Sequence, residues 1–188
     1  MKRGPSFFAG CLLESGLLVL ALLWGRLSHR AALGDLHWSV KDALLGIGAA
    51  IPPLVFFLWT LNAKVRVFSQ HRHLLETMLR PLFGKWTVWE LATISVLAGV
   101  CEEAFFRGAI QGSLAERVGL ALALALGSAA FGAAHLITWT YAIIAAFIGA
   151  YLGLLWIGTG NLLAPMVTHA VYDFAALIYF LRVHRPAS

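Results

Sequence analysis

Residues 139–158 read WTYAIIAAFIGAYLGLLWIG, 20 positions without one Asp, Glu, Lys or Arg. A helix of about 18 or more apolar residues is long enough to cross ~30 Å of hydrocarbon. Similar apolar blocks lie on either side, at roughly 7–27, 43–62, 88–112, 118–137 and 161–181. Of the 188 residues, 60% are hydrophobic and 12% charged, and the mean hydropathy is +0.81. A soluble domain carries about 25% charged residues, so this chain cannot clothe a globular surface in water. Only helices and closed barrels satisfy their backbone polar groups in lipid. The blocks are ~20 residues long and lack the alternation of a barrel strand, which selects helices. The expected fold is all-α: a polytopic bundle of about six transmembrane helices.

The formal net charge is +5 and the pI about 9.6. The basic residues sit between the apolar blocks, where they set topology and meet anionic head groups. No basic and aromatic face for nucleic acid is present. Cys11 and Cys101 fall inside apolar blocks and offer neither a disulfide framework nor metal-ligand spacing. With the N-terminus in the cytoplasm, Lys2, Arg3, Lys64, Arg66, Arg72, Arg80, Lys85, Arg182 and Arg185 fall on that side, nine against Arg26, Arg30, Lys41 and Arg117 on the other. This favours both ends in the cytoplasm, in the cell (inner) membrane. The block at 7–27 is longer than a signal-peptide core and is read as a retained first helix. Pro52-Pro53 predicts a kink or break in the second block. The polar stretch 63–87 is either an interfacial helix or a plain basic loop. The chain is one integrated membrane domain, with residues 1–87 as N-terminal helices plus the basic segment and 88–182 as the core.

An ionisable group at mid-bilayer costs at least ~2.5–3.5 kcal/mol, so buried charges in lipid are paired or functional. The third block contains Glu102, Glu103 and Arg107. Glu103 and Arg107 share a helix face and can form an ion pair. Glu102 points about 100° away, free to meet another helix. The fourth block ends in small residues followed by His135, a surface on which a second helix can approach closely. In the last block His169 and Asp173 are four apart on one face. Glu14 has no basic partner within a turn, and Glu90 and Glu116 fall near helix ends, so these three are expected to matter less. If the fourth and sixth helices both run inward over their full blocks, His135 and His169 lie roughly 10 Å apart in depth.

Together these pieces resemble the CAAX-protease and bacteriocin-processing (CPBP, or Abi) family of intramembrane endopeptidases, type II CAAX prenyl protease-like. Glu102-Glu103-x-x-x-Arg107 is similar to its first motif, Phe131-x-x-x-His135 to its second and His169-x-x-x-Asp173 to its third, which ends in Asn or Asp. The resemblance covers about residues 88–180. It implies hydrolysis of membrane-anchored or lipidated protein or peptide substrates within the lipid bilayer. By the same resemblance, Glu102 and His135 activate water, His169 and Asp173 help stabilise the oxyanion, and Glu103 and Arg107 hold the site together. Glu102, His135 and His169 are acceptable zinc ligands, but no His-Glu-x-x-His motif is present and a metal-free site, with no cofactor, is the preferred reading. Two other classes compete: a proton-coupled carrier, and a non-enzymatic membrane scaffold or immunity factor.

Overall fold

The structure, a computed structural model, describes residues 3–184. Lys2 and Arg185, counted above for orientation, lie outside the described residues. Within them the chain is helical, without a strand. The elements are α1 (Arg3–Leu27), α2 (Val40–Ala49), α3 (Ile51–Asn62), α4 (Arg66–Leu74), α5 (Arg80–Phe83), α6 (Val88–Glu103), α7 (Gly112–Val118), α8 (Leu120–Ala134), α9 (Trp139–Thr159) and α10 (Leu163–Ile178). Wider π-helical turns join α4 to α5 (Leu75–Leu79), join α6 to α7 (Ala104–Gln111) and extend α10 (Tyr179–Val183).

Among the described residues four stretches are long and apolar enough to cross a membrane: Gly4–Leu27, Val40–Asn62, Trp139–Thr159 and Leu163–Val183. The expected count of about six is therefore not reached on length and composition. Block 118–137 yields α8 of only 15 residues, about 22 Å and short of the ~30 Å needed. Block 88–112 is helical throughout, but Glu90, Glu102, Glu103 and Arg107 make it too polar to qualify.

Local chemistry explains the boundaries. Thr87 and Glu90 form a capping box that starts α6, which accounts for Glu90. Ala50 separates α2 from α3, and Pro52 and Pro53 stand in the first turn of α3, where proline is tolerated. Thr138 caps α9, and Gly160, at φ 63°, ends it. α6 is central, packed between α1 and α10. A Cβ on Gly99 would stand 2.7 Å from the Met166 carbonyl oxygen, so only glycine lets α6 and α10 approach this closely. The small-residue face of α8 is used in the same way, since a Cβ on Gly132 would stand 2.7 Å from the Ala142 carbonyl oxygen of α9.

The two ends of the bundle are tied differently. At one end the loop after α1 is held by Arg30, which bonds the Gly108 carbonyl at 2.8 Å and pairs with Asp35 at 2.6 Å and Glu116 at 3.0 Å. At the other end the 66–83 segment is a helical strap rather than a plain loop. Arg80 anchors it, pairing with Glu76 at 2.6 Å, stacking on Phe180 at 4.4 Å and donating to the Phe180 and His184 carbonyls.

His71 is buried on the inner side of the strap, its ring 6.0 Å from that of Tyr141. Burial pushes its imidazole down to about 4, and neighbouring Arg72 acts in the same direction. A released strap takes up a proton below about pH 6.5 that the docked strap refuses until about pH 4. The docking contribution is thus complete above that range and is lost as pH falls through it, by up to about 3 kcal/mol. Amide exchange of residues 66–83, corrected for intrinsic rates, is expected to quicken between pH 7 and 4.5 in the wild type and to stay level in His71→Phe. A level profile in the wild type would contradict this.

Candidate active site

Glu102 and Glu103 end the regular part of α6, and their side chains leave on different faces, as consecutive helical residues must. Glu103, fully buried at 0% exposure, turns to α10 and to its own helix. Its Oε1 accepts from Arg107 Nη1 at 2.7 Å and from His169 Nδ1 at 2.8 Å. Arg107, 1% exposed, also donates from Nη2 to the Gly149 carbonyl at 2.8 Å and lies over the Phe131 ring at 4.5 Å. One guanidinium therefore locks α6, α8 and α9 together. The expected Glu103–Arg107 pair is present even though the intervening backbone is π-helical, a form that recurs at functional sites.

Glu102 turns instead to α8. Its Oε2 lies 3.8 Å from His135 Nε2, too far for a direct hydrogen bond and near enough for a bridging molecule. His135 Nδ1 lies 2.8 Å from the Phe131 carbonyl oxygen. A carbonyl only accepts, so Nδ1 carries the proton, and in the neutral ring Nε2 presents a lone pair toward Glu102. His169 is 5% exposed, with Nε2 3.5 Å from Asp173 Oδ2. Its ring therefore presents one nitrogen to each of two carboxylates, Glu103 and Asp173.

The predicted depth gap between the two histidines does not exist. α8 ends at Ala134, His135 is its cap residue at φ −101°, and 135–138 is a turn. His135 and His169 reach adjacent residues of α6, Glu102 and Glu103.

All four groups, Glu102, His135, His169 and Asp173, line a cavity of about 660 Å³ whose remaining wall is mostly apolar. Phe57 and Thr60 of α3 and His71 and Leu75 of the strap close it on the far side. A second hollow of about 790 Å³, between α1 and α8, reaches Glu102 and His135 from another direction. Two more residues belong here, Tyr141, which the sequence does not single out, and Glu14, which the sequence suggests matters less. Tyr141 lines the cavity with its ring 5.8 Å from that of His135, and in sequence it shows only as an aromatic at a helix start. Glu14 lines both cavities.

Among the described residues no three His, Cys, Asp or Glu side chains form a group that could hold a metal ion.

Fold and site together define a helical membrane protein with a buried glutamate and histidine centre opening into an apolar cavity. The family described as type II CAAX prenyl endopeptidase Rce1-like matches residues 84–175, the stretch that carries all three motifs. The match covers just under half of the chain, and the character of the matched family is that of a CAAX-protease-like intramembrane endopeptidase. It is also 29% identical over 151 residues to the uncharacterized protein YpbD of Bacillus subtilis (strain 168), over 79% of this chain and 76% of that protein. No solved structure matches it.

Proposed function

We propose that the chain hydrolyses a peptide bond in a membrane-anchored or lipidated protein, using water held between Glu102 and His135. The observation that carries this reading is the 3.8 Å separation of Glu102 Oε2 and His135 Nε2 in a cavity large enough for a peptide segment. Two acceptors at that separation can each take one hydrogen from a single water, leaving its lone pair for the substrate carbonyl. As the water oxygen bonds to the carbonyl carbon, its proton passes to Glu102 and the carbonyl π electrons move onto oxygen. The His169 Nε2–H, oriented by Asp173, donates to that oxyanion. Collapse of the tetrahedral intermediate breaks the C–N bond. Glu102 returns the proton to the leaving amine, and acid and amine products depart. Glu103 and Arg107 touch no reacting atom; they fix His169 and the turn after α6. No step passes through a metal. The basic residues of the 63–87 segment support both termini in the cytoplasm of the cell (inner) membrane, with the strap on the inner leaflet.

The test is proteolysis in vesicles. Purified protein is incubated with a pool of membrane-anchored and lipidated peptides, with and without a chelator, and new termini are read by mass spectrometry. Cleavage that persists with the chelator is the expected result. Proton flux without new termini would replace the proposal with a proton-coupled carrier. Neither activity, from folded protein, would favour a non-enzymatic scaffold.

A further inference from the structure

α1 presents an apolar face outward through Phe8, Leu12, Leu13, Val19 and Leu20, while Ser6, Glu14 and Ala21 are buried toward the bundle. The inward stripe thus carries an acid. Glu14 is 9% exposed, and its Oε2 has no hydrogen-bond partner among the described residues. Among the described residues, the lining of the two cavities includes three acids, Glu14, Glu102 and Asp173, and no Lys or Arg. The nearby Arg107 is already engaged by Glu103 and the Gly149 carbonyl. A carboxylate left buried without a cation is costly, and the cost falls when a ligand supplies the cation. Glu14 lies outside residues 84–175, so the family match assigns it no role.

We propose that Glu14 is a substrate-binding carboxylate that selects a Lys or Arg side chain close to the scissile bond. This deepens the protease reading above and rests on it. Glu14 lines both cavities that reach Glu102, so a substrate segment entering by either one passes it. A Lys or Arg there meets the free Oε2, whereas an acidic side chain meets three carboxyl groups.

The test separates binding from cleavage. Protein carrying Glu102→Gln is placed in nanodiscs with membrane-anchored peptides that are identical except for Lys, Gln or Glu scanned along the segment, and affinity is read by fluorescence transfer. At one or more positions the Lys peptide is expected to bind at least about tenfold tighter than its Gln counterpart, as a charge-assisted pair allows. Adding Glu14→Gln, which keeps the side-chain shape, should collapse that ratio toward one. Glu14→Lys should move the preference to the Glu peptide. No position favouring Lys, or a ratio that survives Glu14→Gln, overturns the proposal. Cleavage is then scored with Glu102 intact. A charge preference in binding without any cleavage would leave Glu14 as a cation site and remove the protease reading; cleavage without charge preference would do the reverse.

Discussion

Vesicles carrying Glu102→Gln are expected to cleave membrane-anchored peptides about 10²–10⁴-fold more slowly than wild type, the usual range for removing a positioned general base. Glutamine keeps the size of the side chain and its place against His135, but it cannot take the proton of the attacking water. The fold should survive, because the change removes a buried acid whose Oε2 has no hydrogen-bond partner among the described residues. Initial rates, normalised to protein that unfolds at the wild-type temperature, isolate the chemical effect. Equal rates in variant and wild type would remove Glu102 from the mechanism.

The second large effect is on stability. Arg107→Met is expected to cost about 3–5 kcal/mol, because breaking a buried ion pair from one side strands the other charge. Here the stranded charge is Glu103, at 0% exposure, with Oε2 already unpartnered among the described residues. Combining Arg107→Met with Glu103→Gln should recover part of the loss. The recovery stays incomplete because the guanidinium also holds the Gly149 carbonyl and the Phe131 ring. Thermal unfolding in one detergent reads all three proteins. An Arg107→Met protein as stable as wild type would show that this arginine does not hold the bundle together.

What the sequence made legible was whatever lies along a single helix. Glu103 with Arg107, and His169 with Asp173, stand out because residues four apart share a face. The facing of Glu102 toward another helix also follows from helix geometry, but the identity of its partner does not; His135 came from the motif resemblance. Glu14 is inconspicuous in sequence because no basic residue lies within one turn of it on its own helix. Its company lies on α6 and α10, and only the bundle brings them together. The length of α8 was hidden for another reason. Leu136 and Ile137 are as apolar as the helix before them, yet they lie in a turn, and hydropathy does not distinguish an apolar turn from another turn of helix. The strap could be read as basic and amphipathic, but nothing local says that His71 and Leu75 roof the cavity.

The wide turns from Ala104 to Gln111 bear on how this helix is to be compared with others. A backbone that bonds five residues back fits one more residue into each closed ring than one that bonds four. Across 88–118 the rod is continuous to the eye, yet its angular phase slips at that segment. A helical wheel drawn through the whole rod would place Glu90 and Glu116 on a common reference that the molecule does not possess. Gln111, 1% exposed, sits inward at the far edge of the slip. The periodicity of residues 88–103 and that of 112–118 are two separate clocks, and an alignment that forces one onto the other misassigns the inward face of whichever half it did not start from.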